Sequence, residues 1–170
     1  MRFVPVLLVV LLFGASPAAS QVADDKAVIP GVRIGKWTLD TAIPDLLRTN
    51  GQPTSRPSIM STFMPSATWY AWDSLGFAAG TNDRKRTEYL AVYAGRDYTL
   101  PRGAGIGASK KTVLAAYGEP ALEGDLFALG GIVTVLAYDK SGLAFFLHND
   151  TVQAVLIFRP GDLQDLMFGC

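Results

Sequence analysis

The chain contains the same ordered landmarks twice, and this internal repeat restricts its fold more than any other feature. The landmark pairs are Ile34-Gly35 with Ile106-Gly107, Gly51-Gln52-Pro53 with Gly118-Glu119-Pro120, Trp72 to Ala78 with Tyr138 to Ala144, and Leu90-Ala91-Val92 with Gln153-Ala154-Val155. Their separations are 72, 67, 66 and 63 residues, a slow decrease that small deletions explain. Because a recurring period reports a repeated structural unit, these landmarks predict a duplication.

Each copy is predicted to begin with a short helix, and the second copy gives the clearer signal. Ser109 is a good cap, because its hydroxyl can accept from a free backbone N–H of the first turn. The helix is predicted over Lys110–Tyr117, which carries apolar residues on one face. Gly118 is expected to take the left-handed conformation that closes a helix, and Pro120 prevents its resumption.

In the first copy the helix is predicted to start near Thr41, with Asp40 or Thr41 as its cap. Leu46 and Leu47 are the expected buried pair. Pro44 fits only in the first turn, where its missing N–H has no partner to lose.

Antiparallel strands are predicted after each helix. The predicted strands are 67–73, 77–80 and 87–94 in the first copy and 131–138, 143–147 and 151–158 in the second. Short polar turns separate them, which is typical of a β-meander. Ser55–Ser66 has no counterpart and is interpreted as an inserted loop. The pattern predicts an α+β fold of two tandem helix-plus-antiparallel-meander units, at 31–97 and 98–161, followed by a C-terminal tail at 162–170.

The shared residues form a short pattern: Gly-x-Ser/Thr, three or more residues, an apolar position, and then Gly-x-Pro closing a helix, with one extra residue before the Thr of the first copy. The matching residues are Gly35, Thr38, Ile43, Gly51 and Pro53 in the first copy and Gly107, Ser109, Val113, Gly118 and Pro120 in the second. This pattern resembles the repeat of the β-lactamase inhibitory protein family. It is more distantly similar to the small lipoprotein of the outer-membrane β-barrel assembly machine, which carries one such unit. The resemblance covers roughly Gly31 to Gly161.

The resemblance implies one sheet built from both units, with helices on one face and a concave opposite face that docks proteins. It also implies disulfides, which this chain cannot form within itself because Cys170 is its only cysteine. No acylated cysteine follows the export signal. The resemblance therefore supports the fold, and inhibition of β-lactamases is not carried over.

Residues 1–20 have the three parts of an export signal: Arg2, an apolar run over Phe3–Phe13, and small residues up to Ser20. The apolar run is too short for a membrane-spanning helix, which needs about 20 residues. We expect cleavage before Gln21, with cleavage after Ala18 as the alternative. A flexible leader is predicted over 21–30, no later segment is a transmembrane candidate, and the predicted location is the periplasm or the extracellular space.

Charge and composition disfavour several classes of function. The chain has 15 Lys and Arg residues and 15 Asp and Glu residues, so it lacks the basic surface that nucleic acid selects. The glycines in Arg102–Lys110 lack the spacing of a phosphate-binding loop. His148 is the only histidine, Asp73 and Asp139 each begin a turn, and no metal, cofactor or catalytic group is predicted. Cys170 is read as an incidental residue on a frayed end, with a disulfide between two chains as the alternative.

Several aromatic residues on the predicted strands are not explained by the repeated landmarks. The predicted partner-binding residues are Tyr70, Trp72, Tyr89, Tyr93, Trp69 and His148. Because neighbouring strand residues point to opposite faces, one aromatic set is expected to escape the helix-covered side. Rigid aromatic side chains favour binding, since they lose little entropy. The alternative is that helices and the Ser55–Ser66 loop cover both faces.

These observations predict an exported, non-enzymatic module that binds a protein partner through an exposed aromatic sheet face. The alternative is a binder of small apolar ligands with Ser55–Ser66 as its lid. A hydrolase is the third hypothesis, and it requires carboxylates or His148 to converge.

Overall fold

The computed structural model describes residues 26–55, 58–93, 98–128 and 130–163. The predicted export signal, most of the predicted leader and Cys170 lie outside the described residues. The strands are β1 (Val28–Ile29), β2 (Arg33–Ile34), β3 (Trp37–Thr38), β4 (Thr68–Trp72), β5 (Phe77–Thr81), β6 (Tyr89–Tyr93), β7 (Leu122–Ala128), β8 (Gly131–Tyr138), β9 (Leu143–His148) and β10 (Thr151–Ile157). The helices are α1 (Ile43–Asn50), α2 (Ser58–Phe63) and α3 (Lys110–Tyr117). In this part of the chain, no helix is long and apolar enough to cross a bilayer.

One sheet of seven strands organises the molecule, in the order β4-β5-β6-β10-β9-β8-β7. Every neighbouring pair in it is antiparallel. The short strands β1, β2 and β3 form a separate antiparallel sheet. The predicted α+β class is therefore confirmed. The end of the predicted leader belongs to this small sheet, since Val28 is buried and pairs with Ile34.

Alternation along the strands gives the large sheet two apolar faces. On β9, Leu143 and Phe145 point to the first face, whereas Ala144 and Phe146 point to the second. Helix α1 packs on the first face through Leu46, and α3 does so through Val113. The small sheet covers the same face.

Helix α2 packs on the second face, so the implied arrangement with helices on one face only is wrong. Ile59, Met60 and Met64 are buried there, and Phe63 meets the edge of the Phe146 ring at 5.1 Å. The helix contacts β7 at one edge of the sheet, and the chain after it enters β4 at the other edge. It therefore crosses the second face.

The physical reason for this placement is a row of small side chains beneath α2. The row consists of Ala71, Ala78, Ala91, Ala144 and Ala137 on five strands, with Leu156 of β10 between Ala91 and Ala144. Methyl side chains allow a helix to approach a sheet closely, and the apolar residues of α2 gain about 25 cal/mol per Å² of area removed from water. The segment read as an inserted loop is thus part of the core.

The helix ends agree only in part with the prediction. Ser109 caps α3, since its hydroxyl oxygen accepts from the N–H of Thr112 at 3.2 Å. Pro44 lies in the first turn of α1, as predicted. The predicted caps Asp40 and Thr41 are wrong, because Ala42 occupies the cap position and the Thr41 hydroxyl donates to the Thr38 carbonyl instead.

Both longer helices end at a glycine with nearly the same backbone. Gly51 has φ 77° and ψ −167°, and Gly118 has φ 80° and ψ −158°. The φ is positive as predicted for Gly118, but the extended ψ places both residues outside the left-handed helical region. This combination is essentially restricted to glycine, which explains the residue at both positions.

The predicted strands match closely, and β8 has the predicted limits of 131 and 138. Strand β7 is the one strand of the large sheet that the prediction missed, although Leu122, Leu126 and Ala128 alternate with exposed residues along it. Gly124 interrupts that alternation and weakened the signal. Its place at the edge of the sheet is the main topological feature that the repeat did not show.

Candidate functional site

Three of the predicted partner-binding aromatics lie inside the protein. Trp69, Trp72 and Tyr89 are 5%, 2% and 8% exposed. Trp72 stacks on Phe77 at 5.8 Å and donates from Nε1 to the Gly51 carbonyl at 3.0 Å. The expectation that they form an open binding face is wrong, because α1 and α2 cover opposite faces of the strands that carry them.

The other three predicted residues are partly exposed and do not lie together. Tyr70 packs on the first face and Tyr93 on the second. The Tyr93 hydroxyl donates to the Asp73 carboxylate at 2.9 Å, and burial together with that carboxylate raises the Tyr93 pKa. His148 Nδ1 lies 3.2 Å from the Ile132 carbonyl oxygen at the far end of β9. These three residues therefore do not form a common surface.

An open cleft of about 550 Å³ lies where α3 ends and β8 turns into β9. Its lining residues are Pro30, Pro101, Arg102, Tyr117, Glu119, Pro120, Ala121, Tyr138, Asp139, Lys140 and Ser141. Its volume falls within the range of about 300–1,000 Å³ typical of small-molecule sites. We call this site the tyrosine cleft.

Two tyrosine rings form the floor of the tyrosine cleft, with centroids 5.6 Å apart. The Tyr117 hydroxyl donates to the Pro101 carbonyl at 2.6 Å, and the Tyr138 hydroxyl donates to the Gly118 carbonyl at 3.0 Å. Phe145 supports Tyr117 from below, at 5.2 Å between centroids. Both rings are therefore fixed before any ligand arrives, which lowers the entropic cost of binding.

The two hydroxyls lie in different electrostatic surroundings. Burial, together with the nearby Glu119 carboxylate, raises the pKa of Tyr138 to about 12. Burial also raises the pKa of Tyr117, whereas the Arg102 guanidinium opposes that shift. Both phenols are neutral at physiological pH, and the cleft has a positive side at Tyr117 and a negative side at Tyr138.

Arg102 has the least common backbone conformation at the site. Its φ of 73° and ψ of 5° place a non-glycine residue in the left-handed region, at a cost of about 1–2 kcal/mol. Nη1 donates to the Ala116 carbonyl at 2.9 Å, and the guanidinium carbon lies 5.3 Å from the Tyr117 ring centroid. These contacts hold the cation over one end of the floor.

The remaining polar groups of the cleft are charged side chains at its rim and one hydroxyl. Glu119 and Lys140 are exposed at the rim, while the Asp139 carboxylate accepts from the N–H groups of Gly161 and Leu163 at 3.2 and 3.1 Å. The Ser141 hydroxyl donates to the carbonyl three residues earlier. No histidine is among the described residues that line the cleft. Across the described ranges, no three His, Cys, Asp or Glu side chains gather to hold a metal ion.

Two other surface features are smaller. Phe127 and Ile132 lie opposite each other on β7 and β8 and are 73% and 64% exposed. A cavity of about 180 Å³ near α1 includes Trp37, whose ring carries the Lys36 ammonium at 4.9 Å. Neither feature has the fixed aromatic floor of the tyrosine cleft.

Sequence reasoning missed the cleft because its residues had structural explanations. Tyr117 is the last residue of the predicted helix, and Tyr138 begins a landmark that has a counterpart in the first copy. The cleft forms where these two meet Pro101 and Arg102, which precede α3 in the chain. The available signal was the difference between the copies, since Asn50 and Trp72 stand where the second copy has Tyr117 and Tyr138.

The chain is similar to two solved structures at low identity. An extracellular protein containing an SCP domain from Bacillus anthracis aligns with 74% of this chain, with 14% identity and a TM-score of 0.43. The chain spans only 45% of that protein. A DUF4309 family protein, YjgB, from Bacillus subtilis aligns with 76% of this chain and 88% of its own length, with 12% identity and a TM-score of 0.48. No family model matches the chain, and no curated protein matches it significantly.

Proposed function

We propose that this protein is an exported, non-enzymatic binding module that takes a peptide, free or part of a partner protein, in the tyrosine cleft. The observation that carries the proposal is the floor of Tyr117 and Tyr138, whose hydroxyls are fixed to backbone carbonyls. The rim adds Pro30, Pro101 and Pro120. Tyrosine and proline surfaces accept extended peptides, because they offer broad apolar contact with little side-chain entropy to lose.

Export is part of the proposal and rests on the signal-like residues 1–20. The neutral balance of charge, with 15 cationic and 15 anionic residues, disfavours nucleic acid as the ligand. An intermolecular disulfide through Cys170 stays a prediction, as does the resemblance to β-lactamase inhibitory proteins.

We also propose that the fold arose by duplication, because equivalent hydrogen bonds recur. Trp72 Nε1 donates to Gly51 O at 3.0 Å, and the Tyr138 hydroxyl donates to Gly118 O at 3.0 Å. The N–H of Thr54 donates to Ala71 O at 2.8 Å, and the N–H of Ala121 donates to Ala137 O at 2.8 Å. These pairs join the same elements in each half of the chain, which supports a common ancestral unit.

The strand register supports a two-fold relation between the units and corrects one landmark. Val92 pairs with Phe77, and Ile157 pairs with Leu143, so Val92 and Ile157 hold the same position. Their separation is 65 residues, whereas the matching letters had suggested 63. When Val92 and Ile157 are taken as equivalent, a two-fold rotation about the sheet normal carries the cross-strand pair Val92–Val155 onto the pair Ile157–Leu90.

The test of peptide binding is a pair of tryptophan substitutions at exposed alanines. Ala121 lies in the cleft, so Ala121→Trp fills it, whereas Ala115 lies on α3 outside it. Pools of short peptides with free and with blocked ends are titrated into ¹⁵N-labelled protein. We expect wild type and Ala115→Trp to show shifts at the cleft and Ala121→Trp to show none. The proposal fails if no pool shifts the cleft amides, or if Ala121→Trp responds like wild type.

A second candidate function is binding of an apolar ligand beneath α2. Trp69 Nε1 is buried without a hydrogen-bond partner, and an unpaired buried donor costs about 1–3 kcal/mol. A long-chain alcohol that separated α2 from the sheet could give that donor an acceptor. Titration with 1-dodecanol should then alter tryptophan emission in wild type and Trp37→Phe but not in Trp69→Phe. Equal responses in all three proteins would exclude this ligand.

A further inference from the structure

We infer that the tyrosine cleft recognises both ends of a short zwitterionic peptide, with the peptide carboxylate at Arg102 and its ammonium group at Glu119. The inference rests on the proposed function and adds the chemistry and the direction of the ligand. Its basis is that Arg102 lies over Tyr117, whereas Glu119 follows the glycine to which Tyr138 is bonded, and the two ring centroids are 5.6 Å apart.

The positive end is built from Arg102. A guanidinium carries five N–H donors, and the bond from Nη1 to Ala116 O uses one of them. The guanidinium carbon lies 5.3 Å from the Tyr117 ring centroid, so the ring and the Ala116 carbonyl together hold the cation. A planar guanidinium held in this way matches the two oxygens of a carboxylate, and its left-handed backbone is the kind of local strain found at binding sites.

The negative end is Glu119, which follows the glycine that closes α3. Its side chain is exposed, and its charge acts on the Tyr138 hydroxyl. It forms none of the salt bridges found between described residues, where Lys110 is instead paired with Glu123. The Glu119 carboxylate is thus available to an ammonium group at the Tyr138 side of the floor.

The other charged groups of the cleft leave this polarity in place. The Asp139 carboxylate accepts two backbone N–H groups, so its charge is directed toward the chain after β10. Lys140 is exposed on the neighbouring turn. Its ammonium lies on the same turn as the Asp139 carboxylate, so these two groups together add no net charge and Glu119 sets the sign at the Tyr138 side.

The size of the cleft sets the length of the peptide. An extended residue spans about 3.3–3.6 Å, and the two ring centroids are 5.6 Å apart. A dipeptide or tripeptide therefore places its ends beyond the two rings and its middle above them. A cavity of about 550 Å³ accommodates a ligand of this size.

The test compares four forms of the tripeptide Ala-Phe-Ala by calorimetry: free at both ends, N-acetylated, C-amidated, and blocked at both ends. We expect each block to weaken binding about tenfold, as the loss of one charge-assisted hydrogen bond does. Equal affinity for the free and doubly blocked forms would overturn recognition of the ends while leaving peptide binding intact. Failure of all four forms to bind would overturn the proposed function as well.

Two charge-removing variants assign the ends. In Arg102→Gln, amidation should no longer weaken binding, while acetylation still does so about tenfold. In Glu119→Gln, acetylation should no longer weaken binding, while amidation still does so about tenfold. Lys111→Gln removes an exposed charge of α3 outside the cleft and should leave both effects as in wild type. The proposed direction of the bound peptide is wrong if Arg102→Gln removes the effect of acetylation. The comparison of the four peptide forms uses wild-type protein, so it does not depend on the folding of a variant.

Discussion

Helices α1 and α3 end in the same way, but the chain segments that follow them differ. After α1 the hydroxyls of Thr54 and Ser55 donate to the Asp73 carboxylate, at 3.0 and 2.8 Å, before the chain crosses the second face as α2. After α3 the equivalent position is Ala121, which has no hydroxyl, and the chain continues as β7 along the edge of the sheet. The first half thus closes its turn with side chains, and the second half leaves the tyrosine cleft open.

The two halves of the chain therefore use the segment after the helix differently. The first half uses its extra segment to complete the core, and the second half keeps the equivalent region accessible.

The largest effect is expected for Gly142→Ala in the second half. A Cβ at this residue would lie 2.1 Å from the Phe158 carbonyl oxygen, and φ is 61°. We expect a loss of about 3 kcal/mol or more in the free energy of unfolding, from the clash and the strained backbone together. Gly107→Ala also has a positive φ but open space around it, so urea titration should show a smaller loss. Equal losses would mean that the turn at Gly142 is looser than described.

Met60→Ala tests whether α2 belongs to the core. Met60 is almost fully buried against the second face, so we expect a loss of about 2–4 kcal/mol. Phe127→Ala removes a larger side chain that is 73% exposed, and its effect should stay within about 0.5 kcal/mol. Thermal and urea unfolding of both variants measure this difference. A negligible effect of Met60→Ala would show that α2 contributes nothing to the core.

Trp72→Phe and Tyr138→Phe remove equivalent hydrogen bonds from the two halves. Each leaves a glycine carbonyl without its donor, which costs about 1 kcal/mol at neutral pH. Trp72→Phe also leaves a cavity, because Trp72 is only 2% exposed, and we expect about 1–2 kcal/mol more for that variant. The Tyr138 pKa, about 12, exceeds its ordinary value of 10.0, so its contribution is complete below pH 10 and is lost as the pH rises toward 12. Tyr138→Phe should therefore reduce the alkaline loss of stability, and Trp72→Phe should not. The same alkaline profile in both variants would contradict the assignment.

Asp73→Asn has the smallest expected effect and concerns the first half alone. Hydrogen bonds from Ser55, Tyr93 and Thr54 lower the Asp73 pKa. Its contribution is therefore present above the ordinary carboxyl pKa and is lost as the pH falls through the lowered value. Wild type should lose stability on acidification more steeply than Asp73→Asn, as followed by circular dichroism. If wild type and Asp73→Asn lost stability equally on acidification, Asp73 would not stabilise the turn after α1.

The sequence predicted local structure better than it predicted burial. The repeat located α3, β8 and the paired turns, because glycines with positive φ and alternating strands leave direct marks. It could not place α2, whose short apolar segment has no counterpart in the second copy. The buried positions of Trp69 and Tyr89 follow from that helix, so the predicted partner surface failed for a tertiary reason.

The candidate site was equally hidden from sequence because it depends on contacts between distant segments. Arg102 reaches Ala116 on α3, and Tyr138 reaches Gly118 after it. No local pattern marks these contacts, and each residue taken alone has an ordinary role in a turn or helix. The cleft becomes apparent only when the end of α3, the β8–β9 turn and Pro30 are assembled.

The most direct test of the account is a map of amide chemical-shift changes caused by free Ala-Phe-Ala in ¹⁵N-labelled wild-type protein. We predict changes that cluster at Arg102, Tyr117–Ala121 and Tyr138–Ser141. Changes clustered instead around Trp69 and Tyr89, or spread evenly over the sheet, would contradict the claim that the tyrosine cleft is the binding site.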